Sequence, residues 1–314
     1  MEVIRGLEAL RENYPNTVLT IGNFDGIHLG HQRILLWVIK RAEEIEGTSM
    51  AVTFEPHPLK VLAPEKELKM LMTFKEKARI LEAIGIDVLL CIEFNRAFAN
   101  LSPDAFIEDV LVKKINAVEI VVGPDCAFGK NRKGTTELLR KRGRELGFRV
   151  KVVRSVELDG DIVSSSKIRM LLQKGKVHEV SAFLGRAYSI EGEVIRGTGR
   201  GSKFLNVPTA NITTPDELVP KEGVYAVRVG FKGKFFDGVA NIGRRPTFGG
   251  SVMSYEVHLF NFSGDLLGED IRIYFIDWIR SERFFPGVFS LETQIRNDIE
   301  HAKEILSSKN PKLI

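Results

Sequence analysis

The feature that most constrains the fold of this chain is a change of hydrophobic rhythm near Leu184. From Thr17 to about Glu157, the short β-branched runs VLTIG, MAVTF, IDVLLCIEF and VEIVVG alternate with segments of helical period, Gln32 to Ile45, Thr73 to Ile84 and Ser102 to Ile115. Near-continuous apolar strands separated by helices predict a parallel sheet covered on both faces. Thr73 and Glu76 have the spacing of a capping box, Ser102 precedes a proline suited to the first helical position, and Gly85 is placed to end the helix before it. A further helix from Thr135 to Leu146, a strand from Arg149 to Val156 and a short basic helix from Ser164 to Leu172 complete this first rhythm.

Beyond Leu184 the period becomes mainly two. YSIEGEVI, VYAVRVGF, KFFDGVANIG, SYEVHLFNF and DIRIYFIDWI read as strands of a small antiparallel barrel. Lys232 with Gly233, and Gly264 with Asp265, supply hairpin turns that need positive backbone dihedrals. A final helix, Leu291 to Leu306 with Ser290 as its N-cap, carries Leu291, Ile295, Ile299, Ala302 and Ile305 on one face, which predicts packing on the barrel. The expected organisation is therefore α/β, residues 1–184, followed by a barrel with a C-terminal helix, residues 185–314.

Bulk properties exclude several classes. A chain of 314 residues exceeds what one core usually serves, and its 44% hydrophobic and 27% charged residues are ordinary for a folded, water-soluble protein. Two isolated cysteines, Cys91 and Cys126, can form neither a disulfide framework nor a four-ligand zinc site. No apolar run is long enough to span a bilayer and the N-terminus lacks a signal-peptide core, so no membrane partner and a cytoplasmic location are expected. The formal charge of +4 suits phosphorylated ligands but is spread too evenly to call for nucleic acid. No feature points to an obligatory protein partner.

Two segments carry chemistry in the first half. GNFDGIHLGHQ, Gly22 to Gln32, follows an apolar strand and opens an amphipathic helix, the place where open α/β sheets bind nucleotides. His28 and His31 flank Gly30 near a helix N-terminus that already favours phosphate. As metal ligands they would need a third partner, and no further His, Cys or Asp cluster supplies one. SSSKIR, Ser164 to Arg169, again places hydroxyls and cations at a helix start, or serves only as a cap with a solvated face. The first segment resembles the signature of the nucleotidyltransferase superfamily that includes class I aminoacyl-tRNA synthetases, and SSSKIR resembles its second ATP-phosphate motif. With TFEPHP, Thr53 to Pro58, and VVGPDCAFGKNRKG, Val121 to Gly134, the whole half is similar to the adenylyltransferase part of prokaryotic FAD synthetases.

That resemblance implies a Rossmann-like domain in which Gly22, Asn23, Phe24, Asp25, Gly30, Ser164, Ser165 and Ser166 hold ATP phosphates. It further implies that His28, His31 and Arg169 offset charge on the leaving pyrophosphate, and that Asp125, Phe128 and Gly129 lie against the flavin. FMN would attack the α-phosphorus of ATP in line, giving FAD. Magnesium would share the phosphate charge; Asn23 and Asp25 are nearest in sequence to supply ligands.

In the second half, GTGRGSKFLNVPTANI, Gly197 to Ile212, fits neither a Walker loop nor a dinucleotide fingerprint. It resembles the flavokinase signature, a glycine-rich loop followed by PTAN, with Asn206 where that family usually has glycine. By that resemblance Gly197, Gly199, Gly201 and Lys203 approach ATP phosphates, Thr209 and Asn211 hold magnesium, Glu256 orients the riboflavin hydroxyl and accepts its proton, and Arg283 and Phe284 touch the isoalloxazine. Phe284 fits core packing equally well. NIGRRPTF, Asn241 to Phe248, is a further stretch similar to the family. Taken together the motifs imply an enzyme that makes FMN from riboflavin and ATP and then FAD. Two other readings stay open: a nucleotidyltransferase with a non-catalytic flavin-sensing barrel, and an RNA-binding protein related to synthetases.

Overall fold

The computed structural model describes residues 1–10, 14–196, 208–215, 218–247 and 250–314, with backbone only at 245–247 and 250–252. Gly197, Gly199, Gly201, Lys203 and Asn206 therefore lie outside the described residues. Packing divides the chain into two units, residues 1–70 with 74–163, and residues 71–73 with 164–314.

The first unit holds six parallel strands, β1 (Glu2–Arg5), β2 (Thr17–Ile21), β3 (Ser49–Glu55), β4 (Val88–Glu93), β5 (Ala117–Val122) and β6 (Arg149–Val152), in the spatial order β1-β4-β3-β2-β5-β6. Helices α1 (Leu29–Glu44), α2 (Pro58–Leu62), α3 (Phe74–Ile84), α4 (Arg96–Ala99), α5 (Pro103–Ala105) and α6 (Thr136–Leu146) connect them. One sheet face contributes Leu19, Met50, Val52, Leu90, Ile92, Ile120 and Val122 to an apolar cluster. Alternation sends Thr20, Thr53 and Cys91 to the opposite face, where each is also buried, so the sheet is covered on both sides as a parallel sheet must be. The chain runs from β2 through β3 to β4 and then crosses back beside β2 to lay down β5, so the order reverses between β2 and β5. A crevice at the carboxyl ends of strands at such a reversal is where open α/β sheets bind ligands.

Two local features differ from expectation. β1 pairs with β4 in a stretch too short to show periodicity, with Ile4 its single buried residue. The segment predicted as one α-helix from Ser102 begins as α5, capped by the Ser102 hydroxyl at 3.1 Å from Ala105 N, and continues as a π-helix over Phe106–Lys114. Its wide turn places Phe106, Ile107, Val110 and Leu111 in the core together.

In the second unit, after the small hairpin of β7 (Glu157–Leu158) and β8 (Asp161–Ile162) that ends the first, come α7 (Ser165–Gln173) and α8 (Val177–Leu184). β9 (Tyr188–Ile195), β10 (Ala210–Thr213), β11 (Gly223–Phe231), β12 (Lys234–Thr247), β13 (Gly250–Leu259) and β14 (Asp270–Arg280) then close a barrel in the order β10-β13-β12-β11-β14-β9. Residues 164–184 pack with the barrel because Lys221 N donates to Leu172 O at 3.0 Å and the Trp278 ring lies where a Cβ on Gly175 would sit 2.6 Å away.

The barrel has one more strand than the five read from periodicity: β10, formed by the segment taken as a loop, closes it between β9 and β13. Lys232 and Gly233 both take positive φ, 46° and 76°, as a tight hairpin requires. Gly264 and Asp265 do not form such a hairpin, since β13 and β14 are joined by a ten-residue connection, residues 260–269. The last helix, α9 (Val288–Ser308), starts earlier than expected with Gly287 at the N-cap, and Ser290 instead donates to Gly287 O at 2.8 Å. Ala302 and Leu306 are its buried apolar contacts, and Arg280 holds it through Asp298 with contacts of 2.7 to 3.0 Å. No helix among the described residues is long and apolar enough to cross a membrane.

Candidate functional site

The loop after β2 is strained. Phe24 and Ile27 take positive φ, 46° and 39°, beside Gly26 at 87°, although a β-branched residue disfavours that region. Gln32 Nε2 donates to Ile27 O at 2.8 Å and fixes the loop to the first turn of α1. His28 is the N-cap: its Nδ1 accepts from His31 N at 3.3 Å, so the ring itself satisfies one of the helix's unpaired donors. The His28 and His31 rings stack with centroids 3.7 Å apart and planes 17° apart. Gly30 permits this, because a Cβ there would sit 3.1 Å from the His28 ring.

Burial has an electrostatic consequence. Desolvation, assisted by His28 and Lys77, holds the His31 pKa well below its ordinary value. Its Nδ1 is buried and makes no hydrogen bond among the described residues. At neutral pH His31 is therefore an uncharged donor and acceptor in the free protein, with a polar atom left for a ligand. Phe24, expected at the phosphates, is 1% exposed and packs edge-on to His31 at 5.4 Å, so it supports the imidazole. Asp25 is buried beside it, and Gly22 and Asn23 line the crevice.

Beside this loop opens a cavity of about 580 Å³, within the range of small-molecule sites. Phe54, Phe94, Phe98, Phe106 and Phe128 line it in a chain of ring contacts 5.5 to 6.0 Å apart. Asp125 and Gly129 lie on its wall. Phe128 is set by a bridge to Gly134, where any Cβ would lie 2.5 Å from its ring. Such a slot takes a flat aromatic ligand on apolar faces. Phe54 belongs to the TFEPHP stretch, whereas Phe94, Phe98 and Phe106 were not anticipated, because they arrive from separate segments with no common spacing. His57, at the N-cap of α2 with Nδ1 accepting from Leu59 N at 3.1 Å, also lines the cavity. Lys77, 2% exposed, went unnoticed within the α3 pattern.

In the second unit, Ser164 caps α7, its Oγ accepting from Lys167 N at 3.3 Å, and Ile168, Leu171 and Leu172 bury the helix's apolar face. Ser165 and Arg169 are partly buried on α7 and Ser166 is exposed. On the barrel, Asn211 of β10 is registered opposite Glu256 of β13, which is registered opposite Asn241 of β12. Their inward neighbours Ile212, Val257, Ala240 and Ile242 are buried, so this polar row stands on the outer wall. Ser254 Oγ donates to Glu256 Oε1 at 3.2 Å, and His258 is bound at 2.8 Å to Pro208 O. Thr209 lies two residues before Asn211, just ahead of β10. Among the described residues no three His, Cys, Asp or Glu gather into a metal-holding group. Neutral Thr and Asn oxygens are hard donors of the class magnesium accepts, an ion that keeps most of its ligands as water and phosphate.

Past β14, Glu282 Oε1 accepts from Asn241 Nδ2 at 3.2 Å, Arg283 stacks over Phe285 at 4.9 Å, and Phe284 is 91% exposed. Core packing by Phe284 is thereby overturned: it belongs to the surface of this segment.

The geometry agrees with the comparisons to known proteins. The FAD synthetase family matches residues 10–167 and the riboflavin kinase family residues 184–306. Relatives described as bifunctional riboflavin kinase/FMN adenylyltransferase come from Buchnera aphidicola of Schizaphis graminum, 38% identical over 97% of this chain and 98% of that protein, and from Haemophilus influenzae, 37% identical over 98% and 100%. The Escherichia coli K12 relative is 36% identical over 99% and 100%. A solved structure from Streptococcus pneumoniae described as a macrolide-efflux protein superposes with a TM-score of 0.89 at 30% identity, covering 96% of this chain and 99% of that one. With two family matches in sequence order and likeness over nearly its full length, this chain belongs to the bifunctional riboflavin kinase/FMN adenylyltransferase family.

Proposed function

We propose that the chain phosphorylates riboflavin with ATP through residues 185–314 and adenylylates FMN with a second ATP through residues 1–184. The observation that carries this is the pairing of two unlike constellations: stacked imidazoles at a helix start beside an aromatic cavity, and a carboxylate in register between two asparagines on a barrel.

For the first step, the primary hydroxyl of riboflavin attacks the γ-phosphorus of ATP and ADP leaves. Glu256 accepts the hydroxyl proton, oriented by the Ser254 hydroxyl and by its place in the row. Thr209 and Asn211 would hold magnesium, which when bound offsets phosphate charge. Gly197, Gly199, Gly201 and Lys203 take phosphate contacts by resemblance, and Arg283 and Phe284 cover the flavin. Glu282 reaching Asn241 holds that covering segment against β12.

For the second step, the phosphate of FMN attacks the α-phosphorus of ATP and pyrophosphate leaves, with no covalent enzyme intermediate. The isoalloxazine enters the phenylalanine-lined cavity, with Asp125 and Gly129 at its wall. His28 and His31 donate to phosphate oxygens, where donors fixed in advance stabilise charge as it develops. Ser164, Ser165, Ser166 and Arg169 add hydroxyls and a cation by resemblance. Neither step calls on nucleic acid, a membrane or another protein, and cytoplasmic work fits these small polar substrates.

One time course separating riboflavin, FMN and FAD by HPLC, with ATP and magnesium, tests the whole reading. FMN should rise first and FAD should follow from it; a preparation that forms neither ends the proposal.

A further inference from the structure

The polar face of the first unit's sheet contains a lysine that the mechanism above does not use. Lys77 projects from α3 onto that face with 2% of its surface exposed. Its Nζ donates to Thr53 Oγ1 at 3.3 Å, and Thr53 Oγ1 in turn donates to Asn23 O at 3.3 Å. Asn23 begins the stretch whose positive φ angles at Phe24, Gly26 and Ile27 lead into His28. Asp25, Glu55 and Cys91 surround the ammonium with favourable charge, and His28 and Lys77 act unfavourably on protonated His31. An ammonium is among the costliest groups to bury, so one that is 2% exposed and bonded to the sheet calls for a role that its charge or its donors serve.

We propose that Lys77 is a positioning residue for adenylyl transfer, fixing from below the Gly22–Ile27 loop that presents His28 and His31 to phosphate. The three-membered chain from Lys77 through Thr53 to the Asn23 carbonyl joins α3, β3 and the strained loop, so the loop's conformation is set before ligand arrives. The same charge bears on His31 and disfavours its protonated form. Lys77 does not touch substrate in this role. The inference rests on the histidine pair being the phosphate site, which His28→Ala tests by itself: if that variant still makes FAD, the earlier reading fails and Lys77 is not at issue.

The experiment compares Lys77→Met, Lys77→Arg and Thr53→Val in the full chain. FAD formation from FMN and ATP is measured alongside riboflavin phosphorylation by the other half, which reports that the protein is intact. Misplacing a reacting group by about 1 Å costs roughly 10²-fold, so Lys77→Met should lower kcat for FAD formation by about tenfold to a hundredfold with the KM for FMN nearly unchanged. Lys77→Arg should recover most of the loss, and Thr53→Val should reproduce part of it. In ¹³C-histidine NMR of the free enzyme the His31 titration should move up in Lys77→Met, since a positive neighbour has been removed. Should Lys77→Met fold poorly, Thr53→Val decides alone: wild-type kcat there overturns the proposal. Normal kcat in Lys77→Met overturns it, as does a loss of activity in which the His31 titration stays where it was.

Discussion

At the carboxyl edge of the parallel sheet, Asp25, His28, Thr53 and Lys77 are all buried, whereas on the barrel Asn211, Asn241 and Glu256 keep part of their surface open to solvent. The first region acts by desolvation: it removes water from cations and imidazoles, and His31 and Lys77 both shift toward their neutral forms as a result. The second acts by register, since two antiparallel pairings place a carboxylate between two amides without removing it from water. A parallel sheet under helices has no open face, so its functional groups must be buried and polar. The wall of a small barrel has an outer face, and ligands can be met there at the solvent boundary.

The largest effect should come from the barrel. Glu256→Gln removes the proton acceptor while keeping the shape, and FMN formation should fall on the order of 10²- to 10⁴-fold while FAD formation from supplied FMN continues, read by HPLC. Equal loss of both activities would break the separation between the regions.

A smaller effect sharpens the account of the cavity. Gly134→Ala places a Cβ 2.5 Å from the Phe128 ring, so the ring must shift and the wall of the slot changes shape. The KM for FMN should rise roughly tenfold, about 1.4 kcal/mol of lost binding, with kcat for FAD formation changed less. An unchanged KM would mean that the phenylalanine cavity is not where the flavin sits.

The smallest effect is on stability. His31 is harder to protonate when folded than in the unfolded chain, so below its ordinary value of about 6.5 the unfolded chain binds more protons. Stability of the first unit should therefore fall as pH drops through that value toward the lower folded pKa, and His31→Gln should flatten the dependence. Denaturant midpoints at pH 7.5 and 5.5 measure this, and equal slopes in both proteins would contradict the burial argument.

Much of this was legible along the chain. The parallel α/β rhythm, the helix starts at Ser102 and Ser164, the tight turn at Lys232 and Gly233, and the motif residues His28, His31, Asn211 and Glu256 are local patterns that survive folding because they encode caps, turns and alternation. β10 was missed because strand pairing, not propensity, makes PTANI part of the barrel. Phe54 and Phe128 fell in stretches the sequence singled out, but the cavity they build with Phe94, Phe98 and Phe106 was missed because those rings come from the chain after β4, α4 and the π-helix.

The sequence by itself determined which chemistry the chain carries, since imidazoles, hydroxyls, amides and a carboxylate are set residue by residue. It also determined the two periodicities, and with them a sheet under helices and a barrel. Tertiary structure alone decided how those groups behave: that His31 is neutral, that the Phe24 ring packs against the His31 imidazole, that Lys77 is tied through Thr53 to the histidine loop, and that Phe284 is at the surface. The reason is physical. A residue's identity fixes its donors, acceptors and charge, but hydration and neighbours set their strength, and both depend on segments far apart in the chain.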